Sequence, residues 1–238
     1  MKWVLKILGV FILGIFGGIF ADQILWPYFI EKPLFYQYRL EQSPVYVTEK
    51  KEVTITENIA LQNAIEKVEK TIIGVQTKTK TGKILAGSGL ILTSDGLVVT
   101  LADLVPQGGN SSFFVDGETA SFQILKRDLK ENLALIKIEK TNLPTVGFAN
   151  LEKLKLGERV FLVGMVFEKI TSPGLLVNEG IVKSFAENYI QTNIFEKIRL
   201  QGSPLFNIEG EVLGLNTIDS EGKIITIPIS KIKFFSGF

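Results

Sequence analysis

Ile190-Gln191-Thr192-Asn193-Ile194-Phe195-Glu196-Lys197-Ile198-Arg199-Leu200-Gln201-Gly202-Ser203-Pro204-Leu205 is the stretch on which the reading of this chain turns. It runs through Phe206-Asn207 into Gly210-Glu211-Val212-Leu213-Gly214-Leu215-Asn216-Thr217. Short apolar runs bounded by Gly, Pro and Asn are the pattern of short β-strands joined by tight turns. The turn carries a guanidinium (Arg199), a carboxamide (Gln201) and a hydroxyl (Ser203). A carboxamide has no ionisable proton to give up, so Gln201 cannot form an acyl-enzyme. Ser203 could act as a nucleophile only with a base such as Lys197, as a Ser–Lys dyad. Its plainer reading is a small residue filling a turn.

Composition narrows the chemistry. The chain has no histidine, so no imidazole can serve as a base near neutral pH. It has no cysteine, which excludes a thiol nucleophile, disulfides and thiolate metal sites, and leaves the redox compartment open. With 26 basic and 25 acidic residues the net charge is +1, and the lysines are scattered, so no field favours nucleic acid.

Outward from the opening stretch, most of the chain reads as β. Ile72–Thr77, Leu133–Ile138, Val160–Gly164, Gly180–Ser184, Val212–Asn216 and Lys223–Ile227 are short apolar or alternating runs. Leu90–Thr93 and Leu97–Thr100 flank Ser94-Asp95-Gly96, a hairpin with glycine where positive φ is wanted. Regular strands of this kind imply a barrel or sandwich. A helix is expected ahead of them, from Asn58 as cap to Lys70, with Ile59, Leu61, Ala64, Ile65 and Val68 on its apolar face.

The N-terminus reads as a membrane element. Trp3 to Ala21 is about 19 residues broken only by Lys6, close to the ~20 that span a bilayer. Lys2 and Lys6 precede the run and Asp22 follows it, which places the N-terminus in the cytoplasm and the rest outside. Cleavage after Ile19-Phe20-Ala21 would leave bulky Ile19 at a position that wants a small residue, so an uncleaved anchor is the better reading. Gly14 and Gly18 have G-x-x-x-G spacing, a common accident of glycine-rich spans. Residues 1–25 are thus assigned to the anchor, 26–57 to a stalk interrupted by Pro27, Pro33 and Pro44, and 58–238 to the β domain.

Three motifs, taken together, resemble the HtrA/Deg family of trypsin-fold serine proteases. The opening stretch is similar to the family's I-Q-T-D-x-x-I-N-P-G-N-S-G-G-P-L, and the reactive serine falls on Gln201. Gly87-Ser88-Gly89-Leu90-Ile91-Leu92-Thr93-Ser94-Asp95-Gly96-Leu97-Val98-Val99-Thr100 resembles the segment before the general-base histidine, whose position holds Asp103. Asp128-Leu129-Lys130-Glu131-Asn132-Leu133-Ala134-Leu135 resembles the segment carrying the orienting aspartate, which falls on Asn132. The family's Gly-Asn before the serine has become Arg199-Leu200, and the glycine two places after it is Ser203.

The resemblance, over about residues 65–232, implies a mostly β fold. It would have two antiparallel six-stranded barrels of the trypsin type, preceded by a short helix and the transmembrane helix. It implies a triad lost at Asp103, Asn132 and Gln201, an oxyanion loop rebuilt as Arg199, Leu200 and Gln201, and no catalytic residue unless Ser203 takes over. No cofactor is expected. Asp103 with Asn132 is a thin metal-ligand set and is read instead as a hydrogen-bonded pair. The function implied is a catalytically inactive, membrane-anchored homologue acting outside the cytoplasm as a polypeptide-binding or regulatory module. The alternative is a residual endopeptidase of the Ser–Lys type. Family members are trimers held by aromatic residues before the domain, so Leu34-Phe35-Tyr36-Gln37-Tyr38 marks a possible contact for a homotrimer or for a hetero-oligomer with active relatives. Ile227-Pro228-Ile229-Ser230 resembles the family's closing A-I-P-S, after which no PDZ domain is expected.

Overall fold

The structure, a computed structural model, describes residues 2–31, 57–167, 173–196, 200–218, 221 and 223–238. The chain divides into two compact units, Met1–Ile55 and Thr56–Phe238. In the first, α1 (Lys2–Phe20) is a 19-residue apolar helix with its side chains exposed. Helical winding continues as a π-helix over Ala21–Glu31, through Pro27, so the interruption foreseen there does not occur. A wider helix shifts the backbone pairing and accommodates a residue that lacks an N–H. Lys2–Trp26 is long and apolar enough to cross a membrane, a property shared by transmembrane and signal helices. The aromatic segment 34–38, with Pro33 and Pro44, lies outside the described residues.

The second unit opens with α2 (Glu57–Val68), followed by a 3-10 turn over Glu69–Thr71. Ala64 and Val68 are buried and Leu61 and Ile65 pack beside them, as the spacing predicts. Ile59 is half exposed instead, and Asn58 is the second helical residue and not the cap. Seven strands follow: β1 (Ile72–Lys78), β2 (Ile84–Ile91), β3 (Leu97–Leu101), β4 (Asn110–Val115), β5 (Glu118–Ala120), β6 (Phe122–Asp128) and β7 (Leu133–Ile138). They form one antiparallel sheet in the order β5-β4-β1-β2-β3-β7-β6.

This first half departs from the expected closed six-stranded barrel. Its two edge strands, β5 and β6, are not paired to each other, yet only Ser121 separates them in the chain. The sheet has therefore curled until its ends meet through a covalent link instead of a ladder. The Phe113 and Phe122 rings, 4.4 Å apart, pack inside the curl.

The second half closes completely. β8 (Arg159–Val166), β9 (Gly174–Ala186), β10 (Tyr189–Phe195), β11 (Pro204–Asn207), β12 (Val212–Ile218) and β13 (Lys223–Pro228) form a barrel in the order β10-β13-β12-β11-β8-β9. The chain then enters α3 (Ile229–Ser236), whose Ile229, Ile232 and Phe235 are buried. Each half has its own apolar filling. A third cluster joins them, with Leu90, Val99, Phe161, Phe206 and Leu215 from the sheets and Val68, Ile232 and Phe235 from the helices. Phe161 and Phe206 stack there at 5.5 Å.

Candidate functional site

Two turns and one buried loop deliver the expected site residues to a cleft between the two halves. Ala102–Leu104 is a 3-10 turn directly after β3; Ala102 and Leu104 are buried, which leaves Asp103 on the exposed side. Asn132 ends the β6–β7 turn in the left-handed region, at φ 53°, where asparagine is tolerated better than most residues. Asp128 shapes that turn, because its Oδ1 accepts from the backbone N–H groups of Lys130 and Glu131 at 2.9 and 3.0 Å. Asn132 and Asp103 then meet twice. Asn132 Nδ2 donates to Asp103 Oδ2 at 3.0 Å, and the Asp103 backbone N–H donates to Asn132 Oδ1 at 3.0 Å. The Ala102 N–H donates to the Asn132 carbonyl at 3.2 Å, which pins the two turns together.

Gln201 comes from the other half, on the loop leading into β11. Its carbonyl accepts from the Ser88 N–H at 2.8 Å, across the interface of the two halves. The approach is so close that a Cβ on Gly87 would collide with the Gln201 carbonyl oxygen. Gly202, at φ 75°, is bound likewise: a Cβ there would collide with the Ser88 carbonyl oxygen. Ser88 Oγ accepts from the Met165 N–H at 2.8 Å, and Thr100 Oγ1 donates to the Ser88 carbonyl at 2.7 Å. Gly87, Ser88 and Gly202 thus form the backbone seat on which Gln201 rests.

The Gln201 side chain is not free in the cleft. Its Nε2 donates to the Ile218 carbonyl at 2.5 Å, and its Oε1 accepts from the Ile218 N–H at 3.1 Å. Gln201 and Asp103 both line a hollow of about 270 Å³. Leu85, Ala86, Leu101 and Leu104 supply its apolar lining, and Lys83 adds a cation.

Ser203 does not lie in that hollow. It is fully buried, and its Oγ accepts from Asn216 Nδ2 at 3.2 Å. Thr226 Oγ1 donates to Asn216 Oδ1 at 2.6 Å, so the three side chains form a buried hydrogen-bonded chain. A hydroxyl committed to a core network is poorly placed for nucleophilic attack, which weighs against the Ser–Lys alternative. Leu200 is also buried, in the filling of the second barrel, and does not face the cleft. An apolar side chain beside β8 and β11 is held by burial in the core. Arg199 and Lys197 lie outside the described residues.

Four features converge: an antiparallel curled sheet, a closed six-stranded barrel, a cleft between them, and three motif-borne residues meeting there from separate turns. A model of the trypsin-like peptidase domain family matches residues 87–215. The chain belongs to this family, on its HtrA-like side. A protein named "Probable periplasmic serine endoprotease DegP-like" from Halomonas elongata is 32% identical over 139 residues, which cover 55% of this chain and 29% of that protein. "Serine protease HTRA1" of Xenopus laevis is 34% identical over 165 residues, 63% of this chain and 35% of its own length. A DegP-like namesake from Chlamydia muridarum is 32% identical over 149 residues, 60% of this chain and 30% of that protein. The chain spans about a third of the length of these curated relatives.

Within this HtrA-like member, sequence reasoning placed Asp103, Asn132 and Gln201 in one cleft but missed Ile218, the residue that holds Gln201. The signal lay in strand alternation. Asn216 meets the loop before β11, and the next residue of the same strand to face that way is Ile218.

Proposed function

We propose that this chain is a non-catalytic, membrane-anchored member of the HtrA-like family whose domain acts outside the cytoplasm by holding polypeptide. Acyl transfer in the family's manner needs a hydroxyl nucleophile, an imidazole to take its proton and an acid to orient the imidazole. The observation that carries the proposal is the cleft itself. The nucleophile position is a carboxamide bonded to Ile218, and the base and orienting positions are a carboxylate and a carboxamide bonded to each other. The absence of any histidine supports the same reading. Asp103 retains a carboxylate that could accept a proton, but Gln201 offers it no nucleophile to activate.

Polypeptide binding does not depend on a triad. An extended chain adds to a sheet edge through backbone hydrogen bonds, and β12 runs past the end of β11 to Ile218, whose backbone groups face that side and meet the Gln201 side chain. The apolar α1 and the Lys2/Lys6 charge bias support an N-terminus-in anchor with the domain outside.

The test is recovery of the tagged full-length protein from its own envelope, with bound partners identified by mass spectrometry. We expect a spread of unfolded envelope polypeptides, none of them cleaved. Recovery of active HtrA-like proteases alone, in fixed ratio, would replace this reading with that of a regulatory subunit. A soluble form starting at Asp22 would contradict the anchor.

A further inference from the structure

We propose that Gln201 is a built-in competitor for strand addition: its carboxamide occupies the rung of β12 that the peptide group of an incoming extended polypeptide would take. The proposal rests on the polypeptide-holding reading above and specifies how that site is controlled.

The two sides of β12 differ. Toward β13 it is paired from Gly214↔Pro228 to Ile218↔Ile224. Toward β11 the strand pairing ends at Pro204↔Leu215. One further rung follows, made by the loop: the Gly202 N–H donates to the Asn216 carbonyl at 2.8 Å, and the Asn216 N–H donates to the Ser203 carbonyl at 2.9 Å. In an antiparallel ladder the same edge presents the N–H and C=O of every second residue. The next rung is therefore Ile218, and the loop backbone has turned away toward Ser88 before reaching it. Gln201 fills that place with its side chain, donating from Nε2 to the Ile218 carbonyl and accepting at Oε1 from the Ile218 N–H.

A primary carboxamide carries the same donor and acceptor pair as a peptide group. What satisfies Ile218 is thus a chemical copy of the backbone of an extended chain. A polypeptide pairing with this edge must displace Gln201 and replace both hydrogen bonds one for one. The exchange is feasible because Gln201 hangs on rotatable side-chain bonds, and its release restores rotamer freedom. The plug should also be selective. A chain that offers both backbone groups at this rung can compete, and one whose N–H is blocked cannot.

The experiment uses the full-length protein in detergent micelles and a fluorescent heptapeptide of alternating valine and threonine, with a copy N-methylated at alternate residues as control. Binding is read by anisotropy, and exchange of the Ile218 amide by hydrogen–deuterium exchange. The variants are Gln201→Ala and Gln201→Met, the second keeping side-chain length without the carboxamide. We expect both variants to speed Ile218 exchange about tenfold or more without peptide, and to bind the unmodified peptide about tenfold tighter than wild type. That ratio corresponds to roughly one net hydrogen bond. The N-methylated copy should gain nothing. Faster exchange with peptide affinity unchanged within about twofold would overturn the proposal and leave the polypeptide-holding reading intact. Unchanged Ile218 exchange in both variants would overturn it by removing the plug. No binding by wild type or variants, with exchange accelerated, would overturn the polypeptide-holding reading and this proposal with it.

Discussion

The seat beneath Gln201 and the hollow beside Asp103 adjoin each other, yet different physics governs them. The seat is backbone and buried hydroxyl: Gly87, Ser88, Gly202, Ser203, Asn216 and Thr226 interlock with their polar groups satisfied inside the protein. The hollow is side chain and solvent: Asp103 and Lys83 are exposed, and Asp103 meets Asn132 at the surface. Changing the seat should disturb how the two halves meet, whereas changing the hollow should alter only what it can touch. A sequence can therefore carry family motifs because packing requires them, whatever side chains stand at the cleft.

The comparison is broken most directly at Gly202. Gly202→Ala forces a Cβ into the Ser88 carbonyl at a positive φ, and should destabilise the domain by at least about 2 kcal/mol in urea unfolding. An unchanged midpoint would mean that the seat yields. Next comes Asn216→Leu, which strips partners from Ser203 and Thr226 in the core; unsatisfied buried groups cost about 1–3 kcal/mol. By contrast, Asp103→Ala removes an exposed hydrogen bond and should stay within about 0.5–1 kcal/mol. A larger loss there would make the hollow structural and erase the distinction.

The smallest effect lies away from the cleft, at Asp95 in the β2–β3 turn. Its hydrogen bond with Lys137, at 2.7 Å, and then that with Thr93, hold its carboxyl below the ordinary value of 3.8. A depressed folded-state pKa adds stability that is present above the unfolded value and lost as pH falls through the folded one. Asp95→Asn should therefore match wild type at the acid end, below the folded pKa, and fall slightly behind it at higher pH. Parallel stability curves across that range would remove the interaction.

Much of this fold was legible because strand signals are local. Leu133–Ile138 is β7 as read, and the Ser94-Asp95-Gly96 hairpin forms with Gly96 at φ 97°. Strands escaped where the pattern is polar or broken. β6 ends in Lys126-Arg127-Asp128 because no residue of that edge strand is fully buried, and β11 is four residues long and begins with Pro204. Helix α3 was missed although Ile229, Ile232 and Phe235 recur at threes and Gly237 stands ready as the left-handed cap. At the site, motif order located Asp103, Asn132 and Gln201. It could not show that Ser203 is buried or that Gln201 reaches Ile218. Burial and a bond between residues 17 apart depend on the closed barrel, which no local pattern encodes.

The central claim is a protease body without protease chemistry, and covalent capture tests it most directly. The purified full-length protein is incubated with a fluorophosphonate probe and, in parallel, with denatured casein, beside an active HtrA-like protease as control. We expect no labelling and no cleavage, with Ser203→Ala indistinguishable from wild type. Stoichiometric labelling that disappears in Ser203→Ala would contradict the claim, because it would place a reactive hydroxyl where the structure shows one buried against Asn216.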